Sequence, residues 1–349
     1  MKRTGHLMER MMTPENFILA EEIMCRTKKK NRKARYIRKH AEEFGTKLFE
    51  KISAGQFTWH KPKQSTIKDS YKGKERGLKI PCLEDQAAQV AWLNIAAPYI
   101  ERRNYYYNCG SIPHAGQTRC TKGLKKHLKD NRVKYGAVTD IRKFYDTCPH
   151  SLVRRGLKRI FKDKEFIEYA MAFVASMSET GIGLAIGYPS SHWMANIALM
   201  ELDHELRRRF PDVWFTRYMD DTALVSSNKR HLRKCVDLIR FRMREYGMSL
   251  RKWALFRIKD RGVHFLSYRF FNGYTLLNKR LMIRISRRMR KAKDRISAHI
   301  AAGVISYLGI LKWCDSYNFR VNHVYPYIDP KKCRRMIAYA SKNAVQRAA

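Results

Sequence analysis

The stretch Trp214-Phe215-Thr216-Arg217-Tyr218-Met219-Asp220-Asp221-Thr222-Ala223-Leu224-Val225 decides how this 349-residue chain reads. Two runs rich in β-branched and aromatic residues, Trp214 to Arg217 and Thr222 to Val225, flank an aromatic residue followed by two adjacent carboxylates. The pattern predicts a tight hairpin with both aspartates at its tip. Adjacent like charges are costly unless something positive joins them. Carboxylate oxygens are the hard ligands that Mg2+ prefers, so the tip reads as a site for divalent cations. Taken alone, an acidic dipeptide at a turn is more often simply solvated.

A second carboxylate in a matching context changes that balance. In Lys134-Tyr135-Gly136-Ala137-Val138-Thr139-Asp140, followed by Phe144-Tyr145, a predicted strand ends in Asp140. Asp140, Asp220 and Asp221 are then candidates to share two metals. Two divalent cations about 4 Å apart activate an attacking hydroxyl and stabilise the leaving oxygen of an in-line phosphoryl displacement. That chemistry is nucleotidyl transfer.

Asp140 with Phe144-Tyr145 and the later Tyr-Met-Asp-Asp resemble the first and third palm motifs of reverse transcriptases. The order of further motifs along the chain fits the same family. Lys74-Glu75-Arg76, then Ile80-Pro81 and Leu83 to Gln86, is similar to the fingers segment in which a Lys-x-Arg pair grips the incoming triphosphate. Ile186-Gly187 through Ser190-Ser191-His192 to Leu199 resembles the motif that runs from a glycine turn into a helix. Glycine permits close backbone approach, and a helix start offers free N–H donors. Tyr246-Gly247-Met248-Ser249-Leu250 resembles the next motif, with Ala254 where a lysine is often found and Lys252 nearby. Gly262 to Tyr268 resembles the primer grip, with Ser267 where a glycine is usual.

The resemblance implies an α+β right-hand polymerase: fingers, a palm with an antiparallel sheet backed by helices, and a C-terminal helical thumb. Its expected divisions are a basic N-terminal arm and helix over 1–52, fingers and palm over 53–275, and thumb over 276–349. Asp140 and Asp220 are expected to be direct ligands of two Mg2+ ions, with Mn2+ as a substitute, and Asp221 a weaker ligand. Lys74, Arg76, Tyr145, Gly187 and Ser191 are the expected nucleotide contacts, with Tyr145 excluding a 2′-hydroxyl. His192, Tyr218, Met219, Lys252 and Ser267 are expected to face template or primer, His192 touching template or a neighbouring side chain rather than acting as a general base. The reading implies an RNA template, a DNA primer or product, and dNTPs. It leaves open a small accessory protein.

Within the family, the likeness is to the small bacterial and phage enzymes of diversity-generating retroelements, from about residue 26 to beyond 320. It includes Gln89 to Pro98, Cys109, His114-Ala115-Gly116 and Lys312 to Asn318. Two departures, His192 in place of a glutamine and Gly110-Ser111-Ile112-Pro113 without the usual Arg-Pro, leave room for antiphage-defence reverse transcriptases. From another class, a nonenzymatic maturase-like RNA-binding protein would use the same basic grooves.

Composition agrees with a polyanion partner. The 72 basic and 31 acidic residues give a formal net charge of +41, far beyond what solubility asks of a domain. No apolar run near 18 residues, secretory leader or lipidation motif is evident, so no membrane role and a cytoplasmic location are expected. Eight cysteines without a C-x-x-C pair are expected to be reduced thiols. The motifs consume most of the length, so no ribonuclease H, protease, integrase or endonuclease domain is expected. Arg26 to Lys39 reads as a basic arm leading into an amphipathic helix with Phe44, Leu48 and Ile52 on one face, either solvated or bound to structured RNA. Asn228 is a predicted helix cap and Gly247 a stop. After the Asn272-Gly273 turn, a basic helix carrying Ile285 and Met289 is expected to clamp phosphates without reading sequence.

Overall fold

The run Tyr135-Gly136-Ala137-Val138-Thr139-Asp140-Ile141 forms a strand buried on both faces, and the molecule is organised around it. The computed structural model describes residues 3–68, 75–293 and 296–346. It opens with α1 (Leu7–Met11), α2 (Pro14–Arg26), α3 (Arg32–Lys39) and α4 (Ala41–Ser53). The hairpin β1 (Lys63–Lys68) and β2 (Glu75–Ile80) leads to α5 (Leu83–Arg103) and α6 (Gly116–Leu128). Then come β3 (Tyr135–Ile141), α7 (Phe144–Thr147), α8 (His150–Ile160), α9 (Lys164–Ala175) and α10 (Ser191–Arg209). The hairpin β4 (Trp214–Tyr218) and β5 (Asp221–Ser226) is followed by α11 (Lys229–Glu245), β6 (Leu250–Arg257) and α12 (Ile258–Arg261). A small sheet, β7 (Val263–Phe265), β8 (Tyr268–Phe270) and β9 (Thr275–Leu277), precedes α13 (Lys279–Ala292), α14 (Ala298–Leu311), α15 (Tyr317–His323) and α16 (Pro330–Gln346). The architecture is the α+β polymerase-like fold that the motifs imply.

The central sheet has the order β4-β5-β3-β6 and is antiparallel throughout. Side chains alternate across it, and each face meets a different core. Ala137, Ile141, Phe215 and Leu224 pack with Val153, Met194, Leu202 and Val236 of α8, α10 and α11. Val138, Ala223 and Val225 pack on the opposite face with Phe265, Leu277, Leu281 and Ile285. The C-terminal helices therefore share a core with the sheet. β9 runs across the expected boundary at 275, and the helical region opens at Lys279.

The N-terminal segment is folded against the body. Phe17, Ala20, Ala34, Ile37 and Leu48 form a core with Ala87, Ala88 and Ala91 of α5. A Cβ on Gly45 would lie 2.6 Å from the backbone of Ile18, so only glycine allows α4 to approach α2 this closely. The basic run thus enters α3, which buries Ala34 and Ile37 and turns its cations outward. Asn228 caps α11 by accepting from the N–H groups of Arg230 and His231, and Gly247 ends it at φ +69°. All eight cysteines are free thiols. No helix among the described residues is long and apolar enough to cross a membrane.

A buried ion pair fixes the turn between β4 and β5. Arg217 and Asp203 have side chains only 3% and 2% exposed. Arg217 Nε donates to Asp203 Oδ1 at 2.9 Å, and Nη2 donates to Oδ2 at 2.5 Å. Its Nη1 reaches the carbonyl of Met219 at 2.9 Å, which holds the turn residue at φ +57°. On the other side, Asn196 donates to the Gly110 carbonyl at 2.8 Å and accepts from Asn108 at 3.1 Å. A Cβ on Gly110 would lie 2.7 Å from the Met219 nitrogen, so the 109–112 segment presses directly on the turn. Removing one partner of such a pair strands a buried charge, which costs about 3–5 kcal/mol. Asp203→Ala is therefore expected to lower the thermal midpoint by several degrees, and a shift indistinguishable from that of a surface control such as Asp130→Ala would refute the anchoring role.

Candidate active site

The register of the central sheet sets one row of side chains across four strands. Tyr218 pairs with Asp221, Asp221 with Asp140, and Asp140 with Lys252. Asp140 lies two residues from Val138 and Asp221 two from Ala223, and Tyr218 and Lys252 pair directly opposite them, so all four belong to the sheet face that carries Val138, Ala223 and Val225. Asp220 occupies the two-residue turn with Met219, one step beyond the row. Like charges directly opposite on neighbouring strands are destabilising. The pairing of Asp140 with Asp221 is therefore a local cost that only a cation offsets.

A cation is already there. A bulge after Asp140 shifts its partner strand so that Leu250 pairs with Ile141 while Lys252 stays opposite Asp140, which leaves Arg251 between them. Arg251 Nε donates to Asp140 Oδ1 at 3.0 Å and its Nη2 donates to Oδ2, a two-pronged fork on the carboxylate. The Asp140 hydrogen bond, then the charges of Asp140, Asp221 and Asp220, push the Arg251 pKa up. One guanidinium thus feels all three aspartates. The donor set is three hard carboxylates around a position that attracts positive charge, which suits Mg2+ or Mn2+.

Asp140, Asp221, Arg251 and Lys252 line a cavity of 260 Å³ together with His264, Leu266, Tyr268, Asn278 and Arg280. Its far wall is the β7–β8 turn and the start of α13. Leu266 takes φ +55° in that turn, and Ser267 beside it accepts from the N–H of Asn278 at 3.0 Å through its carbonyl. The wall is basic, and the imidazole of His264 is pushed down by desolvation and then by Arg269, Arg261 and Lys252. An anionic backbone is the natural occupant of such a surface.

Tyr145 approaches the carboxylates from α7. Its hydroxyl lies 2.7 Å from His192 Nδ1 and 3.6 Å from the sulfur of Met219. Burial and the charge of Asp220 raise the phenol pKa, so it remains a proton donor. Desolvation lowers the His192 pKa, so the ring is neutral near pH 7 and accepts through Nδ1. His192 stands exposed at the first turn of α10, with one ring atom turned to Tyr145.

Other expected site residues lie differently. Ser191 is 1% exposed and its hydroxyl donates to the Ala185 carbonyl, so it has no free polar atom to offer a nucleotide and shapes the loop from within. Ser190 is likewise spent on Gln89, at 2.7 Å. Gly187, at φ +119°, is required for a close approach to protein backbone: an added Cβ would fall 2.5 Å from the Lys79 carbonyl. Lys79 N–H donates to the Ile186 carbonyl at 2.9 Å, so this loop docks on β2, where Arg76 stands exposed on the outer half of the strand. Lys74 lies outside the described residues. Three residues of the site had no signal as such in the sequence: Arg251, Asp203 and Arg217. In a chain with 72 basic residues, nothing local separates a buried or carboxylate-bound arginine from a solvated one.

Residues 61–270, well over half of the chain, match the family model described as reverse transcriptase (RNA-dependent DNA polymerase). Protein YkfC of Escherichia coli strain K12 is 26% identical over 148 residues, covering 40% of this chain and 39% of that protein. Telomerase from Candida albicans, solved with a fragment of telomeric RNA, superposes with a TM-score of 0.50 at 10% identity, covering 80% of this chain and 58% of that one. Truncated apo telomerase from Candida tropicalis gives 0.45 at 14% identity, covering 62% and 53%. The chain thus spans about two fifths of its curated relative and little over half of these structures. With the polymerase-like fold, the aspartate row and a family match over the segment that contains both, the chain belongs to the reverse transcriptase (RNA-dependent DNA polymerase) family.

Proposed function

We propose that this protein is an RNA-directed DNA polymerase that adds deoxynucleotides to a 3′-hydroxyl on an RNA template. The observation that carries the reading is the pairing of Asp140 with Asp221 in direct register, with Asp220 at the adjoining turn. A binding-only protein gains nothing from such a cluster, which repels RNA and strains the sheet. Asp140, Asp220 and Asp221 are the residues that would hold two Mg2+ ions, or Mn2+ in their place. When bound, such ions supply charge neutralisation for the phosphate and activation of the attacking hydroxyl.

The chain's own residues do the rest by positioning. Arg251 screens Asp140 from Asp221 and yields to a stronger cation. Tyr145 supports the sugar of the incoming nucleotide and leaves no room for a 2′-hydroxyl, with His192 holding its hydroxyl. Arg76, with Lys74, grips the triphosphate. Gly187 and Ser191 act by keeping their loop docked. Tyr218, Met219, Lys252 and Ser267 face the primer end, and the thumb helices over 276–349 meet phosphates without reading sequence. The arm and helices of 1–52 bind structured RNA, and 53–275 form fingers and palm.

The proposed setting is a diversity-generating retroelement in the cytoplasm of a bacterial or phage-infected cell, with a cognate noncoding RNA as partner. Gln89 to Pro98, His114-Ala115-Gly116 and Lys312 to Asn318 support it. His192 in the glutamine position favours the antiphage-defence alternative. A template repeat beside a variable target gene supports the first; a noncoding RNA within a defence cluster supports the second.

Primer extension on an RNA template with Mg2+ and labelled dNTPs tests the activity. Asp220→Ala with Asp221→Ala is expected to lower extension about a thousandfold or more, since several kcal/mol of charge stabilisation are lost. If neither protein extends any primer, with copurified RNA and a protein hydroxyl also tried, the RNA-binding reading takes over. Tyr145→Ala should relax discrimination against ribonucleotides by about 100-fold, the effect of opening a steric pocket.

His192→Phe should relax it about fivefold, the equivalent of one hydrogen bond of about 1 kcal/mol. Because the His192 pKa lies below 6.5, wild-type discrimination should be level above that pH and decline as the pH falls through the lowered value, where the ring protonates and ceases to accept. A flat acid limb in wild type would remove His192 from this role.

A further inference from the structure

The root of the β1–β2 hairpin carries a cluster that the polymerase reading leaves unused. His60 lies three residues before β1, and Cys82 and Glu84 lie just after β2 at the start of α5. One donor atom from each of the three sits within 4.8 Å of the other two. Four ligands around a tetrahedral zinc ion stand about 3.5 Å apart, given bonds of about 2.0–2.3 Å. The cluster is therefore within a side-chain adjustment of a coordination shell. We propose that His60, Cys82 and Glu84 form a zinc site that clamps the two ends of the β1–β2 hairpin to α5, with water in the fourth position.

The surroundings are those of a ligand set. Asp85 is fully buried and accepts from the His60 backbone N–H at 3.0 Å and from its Nδ1 at 2.7 Å. That bond fixes the proton on Nδ1 and leaves the Nε2 lone pair available, 3.9 Å from Glu84 Oε2. A buried carboxylate holding the far nitrogen of a ligating histidine is the usual support of a metal centre. Cys82 caps α5, its sulfur 3.4 Å from the Asp85 nitrogen and 3.4 Å from His60 Nδ1. Burial pushes the thiol up to about 11, so an incoming metal has to displace its proton.

Charge points the same way. In a chain of net charge +41, this corner gathers Glu84, Asp85 and Glu21. Glu21 is 3% exposed, its Oε2 has no hydrogen-bond partner, and its pKa is raised to about 7 by burial and then by the charge of Glu84. Lys51 reaches Glu84 at 2.8 Å, but one flexible ammonium on a part-exposed side chain is readily displaced by a divalent ion. A thiolate, an imidazole and a carboxylate together select zinc over magnesium.

The clamp has a structural use. A two-stranded hairpin is marginal by itself, and β2 is exposed over its outer half. A metal that joins both ends closes the hairpin where its strands leave the body.

The test uses the untagged full chain, first stripped with a chelator and then loaded with Zn2+ or Co2+. About one zinc per chain, a Co2+ spectrum with a thiolate charge-transfer band, and loss of both in Cys82→Ser are expected. Hydrogen exchange across 63–68 and 75–80 should slow at least about tenfold on zinc loading in wild type and not in Cys82→Ser. Asp220→Ala with Asp221→Ala should keep the thiolate band, which separates this site from the aspartate row. A Co2+ spectrum without thiolate character in wild type, or equal zinc retention by Cys82→Ser, would overturn the proposal and leave the cluster a hydrogen-bonded network. The wild-type spectrum decides the matter even if a variant fails to fold.

Discussion

The buried guanidinium of Arg217 is the interaction on which the site depends. Its fork on Asp203 is sequestered from water, and its remaining nitrogen holds the carbonyl of Met219. A left-handed turn residue other than glycine costs energy, and the surrounding structure has to impose it. Arg217 imposes it from beneath, while the 109–112 segment presses from the side through Gly110. With the turn fixed, Asp220 and Asp221 leave it in set directions. The register then brings Asp221 against Asp140.

The two faces of the central sheet divide the work. One packs into a wide core of helices, which gives the sheet its rigidity. The other is apolar at one end, under the C-terminal helices, and acidic at the other, where Asp221, Asp140 and Lys252 open into a cavity. Two carboxylates on so rigid a surface cannot move apart. Their repulsion stays as a standing demand for cations, and Arg251 answers part of it. The basic wall opposite, with His264 and Arg280, makes the cleft suited to an anionic chain that approaches a cation-seeking floor.

Much of this was legible in the linear chain. The β-branched and aromatic runs on either side of Met219-Asp220 predicted the hairpin, and Asn228 and Gly247 marked the ends of α11. Each is a local signal, carried by backbone propensity and capping. The fate of polar residues was less legible. Ser191 looked available to a ligand, yet its hydroxyl closes its own loop. Gly187 looked like a glycine for substrate approach, yet its lack of a Cβ serves the contact with Lys79. The basic run before α4 looked like an arm, yet Ala34 and Ile37 give α3 an apolar stripe that docks on α2 and α4.

The sequence by itself determined the β4–β5 hairpin, the ends of α11, the order of the motifs and the three aspartates as candidates, because strand propensity, caps and acidic pairs are written within a few residues of each other. Only the tertiary structure decided that Asp140 faces Asp221, that Arg251 is the arginine on Asp140, and that Arg217 and Asp203 form the anchor. Those pairings join residues 14 to 111 positions apart. They depend on strand register and helix packing, and with dozens of arginines to choose from, no local pattern marks which one is buried.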